Sequence, residues 1–190
     1  MDIYDDTIEF TNDNEKDSKI AQELSIQKAL EISRTDTSGE ILLFSTGVGE
    51  IKAIVTQLNI ELPPGNVALP YFGNLDEKYK SIIQGIDKEI GSIKNWRENI
   101  VNEWGPTFIS NNDVPTGLYN RAIIVATNVA EASVTIPRLK YVIDNGFAKV
   151  NKYDVYTNSS KLDVEKISES SRIQRRGRVG RIADGIVYYM

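Results

Sequence analysis

The sequence contains no cysteine and no histidine among its 190 residues. Without cysteine the chain cannot form disulfides or thiolate metal sites, and without histidine it cannot build a histidine-based catalytic triad or a histidine-ligated metal centre. Any catalysis must therefore use carboxylates, lysine, arginine, hydroxyl groups or the backbone. No apolar run approaches the roughly 20 residues that span a bilayer, and the first residues have neither the basic nor the apolar region of a signal peptide. We therefore expect no membrane partner and a soluble intracellular protein, whose compartment (cytoplasm, nucleus or virion) the sequence does not specify.

A surplus of positive charge is also missing, since the net charge is −5. This balance argues against binding of nucleic acid by bulk charge, although it does not exclude a local basic strip. Hydrophobic residues make up 41% of the chain and charged residues 26%, as in ordinary soluble globular proteins. The length suits one domain that buries a real core.

Continuous apolar runs alternate with helical patterns along the chain. The runs end in polar residues, a pattern typical of strands that are buried on both faces of a parallel sheet. They are residues 40–46, 67–72, 121–126 and 141–144, with a last short strand at 185–189. Helices between them give an α/β domain with a mostly parallel sheet. The polar turns at the carboxyl ends of such strands are where open α/β sheets bind ligands.

The two regions outside this alternation are an acidic start and a central stretch. Residues 1–19 are interpreted as a lead-in strand and a polar turn, with a helix starting at Ser18 as its N-cap, and residues 20–190 are assigned to the main domain. Residues 84–120 are predicted to be an insertion, in which the tryptophans of a helical apolar stripe pack onto the core. A loop is predicted at 110–117.

Four arginines and two glycines occupy the eight positions Gln174–Arg181. On a helix, Arg178 and Arg181 would project from one face, and the two glycines would let another surface approach closely. Arginines on such a surface suit a site where cations meet charge developing on a transferred phosphoryl group. The alternative is a solvated basic helix face or an RNA-binding arginine tract.

Three segments together resemble the motifs of one family. Residues 125–136 resemble the fifth motif of superfamily-two helicases, Gln174–Arg181 resembles the sixth, and 42–47 with Glu50-Ile51 resembles the fourth. Residues 141–147 resemble the strand that follows the fifth motif. From about Ile3 to its end, the chain is similar to the second RecA-like domain of DEAH-box RNA helicases and their poxvirus-type viral relatives. The resemblance implies a RecA-like three-layer α/β fold, with a β-hairpin between motifs five and six.

In this family ATP binds in a cleft between two RecA-like domains, and the first domain supplies the phosphate loop and the magnesium carboxylates. This chain has no Gly-x-x-x-x-Gly-Lys-Ser/Thr and no Asp-Glu-x-His. We therefore expect it to be the second motor domain of a larger NTP-dependent RNA helicase, inactive by itself. ATP and Mg²⁺ would be bound mainly by the first domain. The expected partners are single-stranded or duplex RNA, with DNA as a possibility, and the first and C-terminal domains of the same polypeptide.

The resemblance also implies roles for single residues. Arg178 and Arg181 are expected to be arginine fingers and Gln174 to place the attacking water, whereas Arg175 and Arg176 are expected to form ion pairs or contact solvent. ATP binding and coupling fall to Glu131, Ser133, Asp144, Gly146 and Phe147. Backbone phosphates of nucleic acid would be bound by Thr46, Thr127, Asn128 and Thr135. No residue is assigned as a metal ligand, although Glu131 is expected near the nucleotide-bound magnesium or water.

Two of these roles compete with simpler interpretations. Phe147 either stacks on the adenine or is a core aromatic after a strand, and Asn145 stands nearby where DEAH proteins usually have proline. Thr127 either contacts phosphate or is only a helix N-cap.

A β-hairpin is predicted around Thr157–Ser160, because polar and apolar residues alternate on both sides. Its tip is predicted to be polar and short of aromatics. We therefore expect a steric wedge or a docking surface for a C-terminal domain, and not a base-stacking pin.

Two other functions fit the same motifs. One is a motor that translocates on DNA or remodels nucleic-acid complexes without unwinding. The other is a non-catalytic α/β module whose arginines hold an anionic partner. Strand-displacement assays separate the first from an RNA helicase, and a phosphate loop upstream in the parent polypeptide would exclude the second.

Overall fold

A central parallel sheet of six strands organises the fold, in the order β1-β8-β5-β2-β4-β3. The computed structural model describes residues 1–5, 9–104, 119–132, 134–180 and 184–190. The strands of the sheet are β1 (Asp2–Tyr4), β2 (Glu40–Phe44), β3 (Asn66–Tyr71), β4 (Arg121–Ala126), β5 (Leu139–Asp144) and β8 (Ile186–Tyr189). A separate antiparallel hairpin consists of β6 (Phe147–Asp154) and β7 (Ser159–Lys166).

Helices connect these strands. They are α1 (Asn14–Thr35), α2 (Val48–Glu61), α3 (Glu77–Gln84), α4 (Ile86–Glu89), α5 (Ile93–Trp104) and α6 (Glu169–Arg176), with short 3₁₀ helices at Ile90–Ser92 and Asn128–Glu131. Every residue of β2, β3 and β4 is buried, as the continuous apolar runs predicted. The predicted α/β architecture with a mostly parallel sheet and a hairpin is therefore confirmed.

Helix α1 starts earlier than predicted. Its N-cap is Asp13, whose carboxylate accepts hydrogen bonds from the N–H groups of Glu15 and Lys16. The prediction of Ser18 as N-cap is wrong, because the Ser18 hydroxyl instead donates to the carbonyl of Glu15 within the first turn. Strand β1 confirms the lead-in strand and pairs with β8. The domain division after residue 19 stays a prediction, and α1 runs across it.

The tryptophans of the central stretch pack onto the core, as predicted. Trp96 on α5 is buried and stacks on Tyr79 of α3, with 5.1 Å between ring centroids. Trp104 stacks on Phe72 at 6.2 Å. The loop predicted at 110–117 lies outside the described residues, and the assignment of 84–120 as an insertion stays a prediction.

The helix that carries the first arginines ends before Arg178. Helix α6 ends at Arg176, because the N–H of its C-cap, Gly177, bonds to the carbonyls of Ile173 and Arg175. Arg178 therefore lies in the following turn, so the helical spacing considered for it does not apply. Gly180 then has a φ of +80°, a conformation that glycine adopts without strain. Arg181 lies outside the described residues.

The tip of the hairpin differs from the prediction. The turn consists of residues 155–158, two positions earlier than expected. It places Val155 and the fully exposed Tyr156 at the tip, beside the exposed Tyr153. The prediction of a polar tip without aromatics was wrong, because the cross-strand register pairs Asp154 with Ser159.

At the opposite, amino edge of the sheet, polar side chains tie the end of α1 to strands β4 and β5. The buried Arg121 donates to the carbonyls of Asp36 and Ser38. The carboxylate of Asp36 accepts a hydrogen bond of 2.6 Å from Lys140 and another from the Tyr141 hydroxyl. These donors, Lys140 first, hold the pKa of Asp36 well below its usual range.

Candidate nucleotide and nucleic-acid site

The candidate site lies where the loops leave the carboxyl ends of β2, β4 and β5. Strand β2 lies between the other two in a parallel sheet, so the three loops are neighbours. A backbone hydrogen bond of 2.7 Å from the Ser45 N–H to the Ala126 carbonyl ties the first two loops together. The fold thus brings the fourth motif beside the fifth.

The four predicted nucleic-acid residues are accessible at this edge. Thr46 and Thr127 are half-buried, one after β2 and one after β4, while Asn128 and Thr135 are exposed. Thr127 is the N-cap of the 3₁₀ helix Asn128–Glu131, but within the described residues its side chain makes no capping hydrogen bond. The interpretation of Thr127 as only a cap therefore lacks its usual contact.

Arg175 on α6 is the centre of a buried ionic cluster. Its side chain is 0% exposed, and its Nε donates to Glu131 Oε1 at 3.0 Å. Its Nη1 donates to Asp144 Oδ1 at 2.8 Å and to Asn145 Oδ1 at 3.1 Å. Its Nη2 donates to the Phe147 carbonyl at 3.3 Å. One guanidinium thus binds the ends of two strand-loop units, and its planar fork of donors makes this possible.

The same guanidinium stacks on the end of a third strand. Its central carbon lies 4.5 Å from the ring centroid of Phe44, the last residue of β2. Arg176, the next residue, is exposed and pairs with Asp2. The prediction that Arg175 and Arg176 form ion pairs is therefore confirmed. The number of elements that Arg175 contacts was not predicted.

The turn after β5 is built from side-chain acceptors. Asp144 Oδ1 accepts the Gly146 N–H at 2.8 Å, and Asn145 Oδ1 accepts the Phe147 N–H at 3.1 Å. Gly146 has a φ of +77°, which explains the glycine at this position. Asn145, in the place of the usual proline, therefore fixes the turn through its side chain.

Phe147 begins β6 with its ring directed inward. The residue is 2% exposed, and its ring lies edge to face against Phe10, with 6.4 Å between centroids. A cavity of about 250 Å³ lies beside it, also lined by Gly146, Lys166 and Arg172. The ring is therefore buried in this conformation, and stacking on adenine stays a prediction.

The described catalytic candidates lie next to the fifth-motif loop. Arg178 is half-buried, and its Nη1 donates to the Val134 carbonyl at 3.1 Å. Its backbone N–H bonds to the Arg175 carbonyl at 3.2 Å. Gln174 is exposed on α6. Of the remaining predicted residues, Glu131 and Asp144 are bound by Arg175, and Ser133 and Arg181 lie outside the described residues.

These carboxylates do not fit a magnesium site. The guanidinium of Arg175 already occupies one oxygen each of Glu131 and Asp144. Among the described residues, no three Asp, Glu, His or Cys side chains are grouped to hold a metal ion.

Sequence reasoning missed two contacts that shape the site. Lys149 of β6 donates to Glu50 of α2 at 2.7 Å, which ties the hairpin base to the fourth-motif loop. Phe10 covers Phe147. Neither pair is close in sequence, so no local pattern predicts them.

Known proteins match both the sequence and the fold. The family model described as the helicase conserved C-terminal domain matches residues 112–183. The R366 protein of Acanthamoeba polyphaga mimivirus, named for ATP-dependent RNA helicases, is 42% identical over 163 residues, 86% of this chain and 9% of that protein. The ATP-dependent RNA helicase HrpA of Escherichia coli is 32% identical over 96% of this chain and 11% of that protein.

Solved structures match as well. The crystal structure of the E. coli DExH-box NTPase HrpB has a TM-score of 0.64 at 25% identity, and covers all of this chain and 19% of that chain. The chain thus spans about a tenth of the first two relatives' lengths. Within the described ranges, no helix has the length and apolar character needed to cross a membrane.

Proposed function

We propose that this chain, which carries the helicase C-terminal fold of the DEAH-box type, acts as the second motor domain of an NTP-dependent RNA helicase. The observation that carries the proposal is the meeting of the three motif segments at one edge of the sheet. The loops after β2 and β4 are joined by a backbone hydrogen bond, and Arg178 donates to the fifth-motif loop at Val134. This contact supports a site in which the residues proposed for nucleic acid and for nucleotide would be neighbours.

On the nucleotide side, Arg178 and Arg181 would stabilise the negative charge that develops on the transferred γ-phosphoryl group. For Arg178 this requires its Nη1 to exchange the Val134 carbonyl for a phosphate oxygen. Gln174, which is exposed on α6, would orient the attacking water. ATP itself would be held mainly by a first motor domain, since this sequence has no phosphate loop.

On the nucleic-acid side, Thr46, Thr127, Asn128 and Thr135 would bind backbone phosphates. Their hydroxyl and amide groups suit phosphate oxygens and carry no base code, so they would position a strand without reading its sequence. The chain's net charge of −5 fits such local contacts better than a broad basic surface.

The hairpin would contact a further domain or the separating strands. Its exposed side chains Tyr153, Tyr156 and Leu162 form an apolar surface that a plain steric wedge would not need. The Lys149–Glu50 ion pair would hold this surface in a fixed relation to the fourth motif.

The test is a strand-displacement assay with the complete polypeptide that contains this chain. We expect ATP-dependent separation of RNA duplexes. Separation of DNA duplexes alone would favour the DNA motor, and binding without turnover or translocation would favour the anion-binding module.

A further inference from the structure

We propose that Arg175 is a positioning residue that couples the nucleic-acid loop after β4 to the nucleotide-facing turn after β5. The inference rests on the proposed function. It starts from the fact that this guanidinium is wholly buried, whereas its neighbour Arg176 pairs with Asp2 at the surface.

The contacts of Arg175 span the parts that a motor domain must move together. Its Nε binds Glu131, which ends the 3₁₀ helix behind Thr127. Its Nη groups bind Asp144, Asn145 and the Phe147 carbonyl in the turn after β5. Glu131 and Asp144 are 44 and 31 residues away from Arg175 in sequence, and the fold brings both of them to this one side chain.

Burial makes these contacts obligatory. A charged group taken out of water must keep a partner, so a displacement of Glu131 away from the guanidinium would leave a buried carboxylate without its ion pair, at a large desolvation penalty. The cluster holds two carboxylates and one cation, and among the described residues the second oxygen of Asp144 has no hydrogen-bond partner. A movement of the fifth-motif loop is therefore transmitted through Arg175 to the turn after β5.

The same residue also reaches the catalytic candidate. The Arg178 N–H bonds to the Arg175 carbonyl, so the turn that carries Arg178 begins on the residue that holds Glu131. The side chain of Arg178 in turn contacts the Val134 carbonyl, three residues after Glu131. The nucleic-acid loop and Arg178 are thus joined twice, once through Arg175 and once directly.

Asn145 strengthens this link in a way that proline could not. Its Oδ1 accepts both Arg175 Nη1 and the Phe147 N–H. A proline at this position would have no side-chain acceptor. The guanidinium of this chain therefore bonds directly to the side chain that orders the Phe147 turn.

The experiment compares Arg175→Lys with the control Arg176→Lys in the complete polypeptide. Both variants keep the charge, but lysine at 175 loses the planar fork. The readout is the ratio of RNA-stimulated to basal ATP turnover, with kcat and KM for ATP measured separately and folding followed by thermal melting. We expect Arg175→Lys to lower the ratio at least about fivefold, the lower range of allosteric coupling, while Arg176→Lys leaves it unchanged.

The coupling is refuted if folded Arg175→Lys keeps the ratio of the parent, or if basal and stimulated turnover fall in parallel. If Arg175→Lys does not fold, Asn145→Ala decides, because it removes one acceptor and no charge: a lowered ratio supports the coupling and an unchanged one refutes it. Normal turnover in Arg178→Ala would instead reject the proposed function, so the two failures are distinguishable.

Discussion

Single ionisable residues fix the amino edge of the sheet, and Asp36 is the clearest case. Its carboxylate accepts hydrogen bonds from Lys140 and Tyr141 and lies 3.8 Å from the Arg121 guanidinium. Because these contacts favour the charged form, the pKa of Asp36 in the folded chain lies below its ordinary value of 3.8. A group with a lowered folded pKa stabilises the protein above its unfolded pKa, and loses that contribution as the pH falls through the folded one.

We therefore predict that Asp36→Asn lowers the free energy of unfolding at pH 7 by about 1–3 kcal/mol, the range for hydrogen bonds to charged groups. The difference between parent and variant should shrink as the pH falls below about 4, the ordinary range of this carboxyl. Urea unfolding at several pH values measures both effects. A difference that does not change with pH would contradict the role of the ionised carboxylate.

The arginines of Gln174–Arg181 show which contacts of single residues could be predicted from the sequence. The clustering of four arginines was evident from the sequence, and Arg176 in an ion pair was expected. Arg175 as a hub was not foreseen, because its partners Glu131 and Asp144 approach only after β4, β5 and α6 pack together. The spacing of residues along one helix or strand does not predict contacts between different elements.

At the scale of elements, the apolar runs predicted the buried strands correctly, whereas the sequence predicted the ends of the helices less well. The strands after Gly39 and Asn120 were predictable because both of their faces are buried, so every residue is apolar or paired. Helix ends depend on single caps. Asp13 competed with Ser18 at the start of α1, and Gly177 ended α6 before Arg178.

Gly39 and Gly49, both near the ends of elements, are suited to a comparison of the effect of Gly→Ala on stability. Gly39, before β2, has a φ of +82°, and an added Cβ would lie 2.4 Å from Lys140 Cβ. Gly49 is in the first turn of α2, and no described atom lies within 4 Å of its added Cβ. We predict that Gly39→Ala destabilises by roughly 1–3 kcal/mol, whereas Gly49→Ala stabilises by about 0.4–1 kcal/mol.

Chemical denaturation of both variants tests this prediction. Equal effects of the two substitutions would show that backbone conformation at Gly39 does not matter.

The hairpin leads to a prediction about function. Tyr156 and Val155 are exposed at its tip, so their replacement by serine should change the unfolding free energy by no more than about 0.5 kcal/mol. In the complete polypeptide, we expect the double variant to lower the rate of strand displacement while RNA-stimulated ATP turnover is kept. Thr157→Ser, which keeps the hydroxyl in the same turn, is the control. Unchanged strand displacement in the double variant would argue against a contact role for the tip.

At the scale of the whole molecule, we propose that the chain forms one wall of a cleft. The parallel sheet directs its carboxyl edge outward with Thr46, Thr127 and Arg178 on neighbouring loops, and a sequence without a phosphate loop needs a second wall to bind ATP. The overall fold and this edge were predictable because the motifs follow buried strands. The buried position of Phe147 matches the alternative of a core aromatic, whereas its contact with Phe10, 137 positions away, was not predictable from the sequence.

The most direct measurement is RNA-stimulated ATP turnover by the complete polypeptide, with Arg178→Ala compared with Arg176→Ala. Loss of an arginine finger lowers turnover by about 10³–10⁵-fold, so we predict a drop of at least that order for Arg178→Ala and near-parent turnover for Arg176→Ala. Turnover in Arg178→Ala that stays within a few-fold of the parent would contradict the account of this chain as the arginine-bearing half of a two-domain motor.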